Sequence, residues 1–143
     1  MRTAIDTNVF SAIWSGEPSA PVLVAQLGAA KLEGALLISP AVFAELHAYP
    51  GATQKFLSNF IGTTGVMIDY HLEDRVWSEA GKRFALYAVR RRKSSGTSPR
   101  RLLADFIIGA HAMIQADRFL TLDPKRYSQD FPELRLVSMP RLP

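Results

Sequence analysis

Short continuous apolar runs alternate with longer stretches in which apolar residues recur every three or four positions. Residues 3–6 form a first run, which stops on Asp6. Residues 35–38 (Ala-Leu-Leu-Ile) form a second, uninterrupted by polar residues, as in a strand buried on both faces. Further strands are predicted at 66–68, 119–122 and 134–137. Between them the spacing is helical. Ser19-Ala20-Pro21 opens one helix, and Gly34 stops it. Ser39-Pro40 opens a helix over 41–47, which Pro50-Gly51 ends, and another covers 52–61. Residues 62–65 (Gly-Thr-Thr-Gly) read as a turn. A long amphipathic helix over 72–91 lines Val76, Trp77, Ala80, Phe84, Tyr87 and Ala88 along a core-facing stripe. Ser98-Pro99 opens the next helix, which runs to Gln115.

Alternating strands and helices without an internal repeat predict one α/β domain over residues 1–143. Its expected architecture is three layers, α/β/α, around a central parallel sheet of four to five strands. In such sheets, sites lie beyond the carboxyl ends of the strands.

That edge is where four acids fall. Asp6 ends the first strand, and Asp123 closes the fourth. Glu45 lies in the second turn of the helix after the second strand. Asp105 is expected in the second turn of the helix from Pro99, which runs antiparallel to the fourth strand and so starts at the same rim. Asp6 by itself is explained as well by capping the helix that follows. Glu45 alone reads as a solvated helix acid, and Asp123-Pro124 as a turn. Asp105 sits in an apolar setting of Ala104, Phe106, Ile107 and Ile108, where an acid needs a partner. Together the four make a cluster that repels itself unless a cation is present. No lysine is placed to neutralise them, so a hard divalent ion with oxygen ligands, Mg²⁺ or Mn²⁺, is the expected counter-charge. Thr7, Asn8 and Thr121 stand beside the acids and are expected to orient them or hold water. The other nine acids, Asp69 and Asp130 among them, read as surface and turn residues. His111 reads as packing or surface, and Gly109, Ala110 and Ala112 as close helix packing.

Composition adds a partner class. The chain has 143 residues, 48% hydrophobic and 21% charged, a globular balance. Seventeen Lys and Arg against thirteen Asp and Glu leave a net charge of +4, which suits a polyanion such as nucleic acid. The basic run Arg90-Arg91-Arg92-Lys93, with Arg100 and Arg101 beyond it, is the candidate phosphate-contacting surface. Arg92, Lys93, Arg100 and Arg101 are the residues expected to contact a nucleic-acid backbone. Cations at a helix end also complement its dipole, which explains Arg90 to Arg92 nearly as well. The absence of cysteine excludes disulfides, thiolate nucleophiles and Cys-based zinc sites, and suits a reducing cytoplasm. No apolar run approaches the ~20 residues of a membrane span, and an Asp at position 6 argues against a secretory signal.

The motifs Ile5-Asp6-Thr7-Asn8-Val9, Ser39-Pro40-Ala41-Val42-Phe43-Ala44-Glu45-Leu46, Ala104-Asp105-Phe106-Ile107-Ile108-Gly109-Ala110-His111-Ala112 and Leu120-Thr121-Leu122-Asp123 stand in an order that resembles the PIN domain family. More narrowly, the chain resembles a VapC-type toxin of a toxin–antitoxin pair. The resemblance implies a metal-dependent endoribonuclease in which Asp6, Glu45, Asp105 and Asp123 hold Mg²⁺ or Mn²⁺, supported by Thr7 and Thr121. It also implies a homodimer and a small antitoxin that blocks the active-site groove. Some relatives carry a further acid just after the last motif, where this chain has Lys125 and Arg126. A nuclease acting on DNA or structured RNA, and a catalytically silent RNA-binding domain, are the rival expectations. A phosphoacceptor signalling domain is set aside: it needs paired acids after the first strand and a Lys after the fifth, and the chain has neither.

Overall fold

The computed structural model describes residues 1–94 and 100–140. In chain order the elements are β1 (Thr3–Ile5), α1 (Thr7–Trp14), α2 (Ala20–Glu33), β2 (Leu36–Ile38), α3 (Pro40–Leu46), α4 (Gln54–Thr64), β3 (Met67–Ile68), α5 (Asp74–Lys93), α6 (Leu103–Gln115), β4 (Arg118–Leu120) and α7 (Pro124–Asp130). The four strands form one all-parallel sheet in the order β3-β2-β1-β4. Helices flank it, as the apolar runs require: β1 and β2 are buried at every position. The chain builds outward from β1 through β2 to β3, then crosses to the other side of β1 to place β4. The order therefore reverses between β1 and β4, and that reversal opens a crevice at their carboxyl ends.

Local sequence explains most helix boundaries. Ser39 caps α3 by accepting from the Val42 N–H (3.2 Å), with Pro40 in the first turn. Thr53 caps α4 in the same way through Phe56 N–H (3.1 Å). Residues 62–64 are helical rather than a turn: the Gly65 N–H still donates to the Ile61 carbonyl (3.0 Å), and Thr64 Oγ1 bonds back to the Phe60 carbonyl (2.7 Å). Gly65, at φ +73, supplies the left-handed cap one residue later.

Other boundaries differ from expectation for longer-range reasons. The predicted helix start at Ser98-Pro99 lies outside the described residues. Arg100 to Leu102 precede α6, which begins at Leu103 because the Asp105 carboxylate takes the Leu102 N–H (2.9 Å). Asp105 is thus in the first turn, not the second. The fifth strand shrinks to one parallel bridge, Phe119 with Leu136. Phe119 N–H donates to Arg135 O (2.8 Å) and Val137 N–H to Phe119 O (2.9 Å), and β4 is only three residues long. Helix α7 was hidden behind the Asp-Pro turn signal. On α5, Val76 and Ala80 are buried, but Trp77 is 54% exposed and is not core. Gly109 is small for a packing reason: a Cβ there would lie 2.4 Å from the Phe131 ring. His111 is buried and bonds Asp69 (3.0 Å), which also accepts from Gln115 (2.8 Å), so Asp69 ties β3 to α6 rather than lying free at the surface.

Candidate active site

The crevice at the β1–β4 reversal is an open cleft of about 460 Å³ lined by Asp6, Glu45, Asp105 and Asp123, together with Thr7, Asn8, Arg126 and Tyr127. All four sequence-predicted acids therefore reach one cleft from four elements. Asp6 follows β1 and caps α1, accepting the Thr7 N–H on Oδ1 (2.8 Å). The capping role and a place in the cleft wall coincide in one residue. Its other oxygen, Oδ2, accepts the Thr121 hydroxyl (2.7 Å), which fastens the end of β4 to the end of β1. Thr121 in turn accepts the Asp123 N–H (3.0 Å), and Asn8 Oδ1 accepts the Leu122 N–H (3.2 Å). Thr7 Oγ1 donates to Glu45 Oε1 (2.7 Å), drawing α3 toward α1. The residues expected to orient the acids are each bonded to one of them or to the turn that carries Asp123.

Electrostatics single out Asp6. It is 6% exposed, and burial pushes its pKa up from 3.8 to about 6. The hydrogen bonds from Thr121 and Thr7 oppose the rise, and the charges of Glu45 and Asp105 add to it. Tyr127, buried beside the acids, is likewise pushed upward by burial and by the surrounding carboxylates.

Sequence reasoning looked for a neutralising lysine, but an arginine stands among the acids instead. Arg126 Nη2 lies 3.0 Å from Asp105 Oδ2, and its Nη1 lies 3.6 Å from Asp123 Oδ2. Among the described residues no three acids or imidazoles converge closely enough to hold a metal ion. Arg126 sits on Asp105 and Asp123, and Thr7 on Glu45. The donor set nonetheless suits a hard divalent cation: it is all oxygen. It also contains a buried carboxylate, Asp6, for which no ion pair is formed among the described residues.

The expected phosphate contacts divide. Arg92, Lys93 and Arg100 are exposed. Arg101 is not: it is 6% exposed, and its Nη1 pairs with Asp130 and donates to the Arg126 carbonyl (2.8 Å). Its guanidinium lies over the rings of Phe106 (4.9 Å) and Tyr127 (5.3 Å). Arg101 is thus an internal strut and unavailable to a phosphate. Asp130, read from sequence as a surface acid, is buried and pairs with both Arg101 and Arg90. Sequence reasoning also missed Arg126 as part of the cleft. Its three-residue spacing from Asp123 at the start of a helix was the available signal.

Residues 3–131 match the PIN domain family, and the chain belongs to it. No curated protein matches the chain in sequence. Among solved structures, the chain is similar to one of VapBC2 from Rickettsia felis bound to a DNA fragment from its promoter. That match has 19% identity and a TM-score of 0.68, over 98% of this chain and 100% of the other. A structure of VapBC-1 from nontypeable Haemophilus influenzae is also similar, at 19% identity and TM-score 0.62, over 96% of this chain and 98% of that one.

Proposed function

We propose that the protein is a metal-dependent endoribonuclease that hydrolyses RNA phosphodiester bonds and acts as the toxin of a toxin–antitoxin pair. The observation that carries the reading is the convergence of Asp6, Glu45, Asp105 and Asp123 on the cleft at the β1–β4 reversal. Membership of the PIN domain family and the likeness to VapBC structures support it.

Asp6, Glu45, Asp105 and Asp123 would hold Mg²⁺ or Mn²⁺. When bound, such an ion lowers the pKa of a coordinated water and offsets charge on the phosphate. The chain's own residues prepare the site. Each Asp6 oxygen accepts one protein hydrogen bond and keeps a lone pair for the cleft. Thr7 fixes the Glu45 carboxylate, and Glu45 is the group that accepts the proton of the attacking water. Arg92, Lys93 and Arg100 contact the strand's phosphates, which supplies affinity but no sequence reading. The 2′-hydroxyl is not needed for this hydrolysis, so preference for RNA comes from binding. A second copy of the chain and a small antitoxin that covers the cleft complete the proposed assembly in the cytoplasm. Among the described residues no helix is long and apolar enough to cross a membrane.

Labelled RNA and DNA of one sequence, incubated with Mg²⁺ or with EDTA, test the chemistry. RNA cleavage that EDTA abolishes supports it. Binding without cleavage in either condition would turn the reading toward a silent RNA-binding domain, and DNA cleavage alone toward a DNA nuclease.

A further inference from the structure

Arg126 is a cation built into an acid cleft; its backbone is fixed, while its guanidinium is held only by the cleft acids. Its backbone carbonyl accepts Arg101 Nη1 (2.8 Å), and the same nitrogen pairs with Asp130 four residues on. Arg101 is buried, so it clamps α7 at both positions from within. Tyr127, next to Arg126, is buried edge-on against Phe119 (4.8 Å between ring centres). The Arg126 side chain is 33% exposed and leaves this anchored helix to reach Asp105 and Asp123. Asp105 Oδ2 thereby accepts both the Leu102 N–H (2.9 Å) and the Arg126 guanidinium (3.0 Å). That oxygen has no free lone pair left to offer an ion. The guanidinium can leave without moving α7, because none of the contacts that pin the helix involves the Arg126 side chain.

We propose that Arg126 is an internal counter-cation that competes with the divalent ion for Asp105 and Asp123, and that a nucleic-acid phosphate loads the ion by drawing the guanidinium away. The inference rests on the reading of the cleft as a metal-dependent nuclease centre. A guanidinium binds phosphate with the same forked geometry that it uses on carboxylate, so a strand entering the cleft is a rival anion for it. Once Arg126 turns to the phosphate, Asp105 and Asp123 lose their counter-charge and become ligands. Coupling of this kind is reciprocal: the strand raises affinity for the ion by the factor by which the ion raises affinity for the strand. The metal centre is then completed mainly when a strand is present.

The test is Mn²⁺ binding to the whole protein, read as loss of the free-ion electron paramagnetic resonance signal. Wild type, Arg126→Gln and Lys125→Gln are compared, each alone and with a hydrolysis-resistant phosphorothioate oligonucleotide, after subtraction of binding to the strand itself. Lys125 is the exposed neighbour and controls for loss of one positive charge. Without the strand, R126Q should bind Mn²⁺ about tenfold more tightly than wild type, the effect of removing a charge-assisted pair, and K125Q should match wild type. The strand should tighten Mn²⁺ binding to wild type by a similar factor and leave R126Q nearly unchanged. Arg126→Lys keeps the charge without the fork and should fall between the two; it carries the test if R126Q does not fold. Equal Mn²⁺ binding by wild type and R126Q, or weaker binding by R126Q, would overturn the competition and leave the metal-centre reading intact. No Mn²⁺ binding by any variant, with or without the strand, would overturn both.

Discussion

Asp6 is held as a buried carboxylate at a cost, and Asp6→Asn should show it. Burial and two acidic neighbours raise its pKa from 3.8 to about 6. At ~1.4 kcal/mol per tenfold change in proton affinity, that rise corresponds to ~3 kcal/mol of destabilisation in the ionised, metal-free protein. The sign follows from proton uptake. Between pH ~4 and ~6 the folded chain holds a proton at Asp6 that the unfolded chain has released, so stability falls as pH rises through that window. The penalty is complete above the folded pKa and absent below the unfolded one. Asn removes the charge but weakens the bonds now accepted from Thr7 and Thr121, a loss of ~1–2 kcal/mol. D6N should therefore be more stable than wild type by ~1–2 kcal/mol at pH 7.5 in EDTA, and no more stable, or less so, at pH 4. Urea unfolding at the two pH values measures this directly. A D6N protein destabilised equally at both would refute the claim that the Asp6 charge is uncompensated.

Three further perturbations probe the scaffold and the strand contacts. Asp130→Ala strands the buried Arg101 without its counter-ion and should cost ~3–5 kcal/mol in urea unfolding; a loss under 1 kcal/mol would contradict the strut. Gly109→Ala drives a methyl group into the Phe131 ring and should cost ~1–3 kcal/mol, with little change in strand affinity. Replacing Arg92, Lys93 and Arg100 together by Gln should lower the slope of log affinity for single-stranded RNA against log salt by ~2, while circular dichroism stays unchanged; an unaltered slope would place the strand elsewhere.

Much of this site was legible in the chain, for identifiable reasons. The runs at 3–6 and 35–38 carry no polar alternation, and only a sheet covered on both faces accommodates that. Parallel connectivity then brings Asp6, Glu45, Asp105 and Asp123 to one rim without any knowledge of side-chain contacts. What stayed hidden depended on contacts between residues far apart or on competing local signals. Arg101 looked like a cation at a helix start, because Ser98-Pro99 is a strong opening signal. The start at Leu103 follows instead from the Asp105 carboxylate, and Arg101 turns inward to Asp130, twenty-nine residues away. Arg126 stood out only as a residue where some relatives carry an acid; the Asp123-Pro124 turn signal concealed α7, and that helix aims the guanidinium at Asp105. Trp77 lies on the apolar stripe of α5 yet remains 54% exposed, since periodicity assigns a face and not the width of what covers it.

The proposed nuclease activity requires Asp6, Glu45 and Asp105 to act together in cutting RNA. Single-turnover cleavage of one labelled RNA in Mg²⁺, with wild type, D6N, E45Q, D105N and the distant control D117N, tests it most directly. Each of the three cleft variants should lose ~100-fold or more in rate, and D117N should keep the wild-type rate. A folded D6N protein that cuts RNA at the wild-type rate would contradict it.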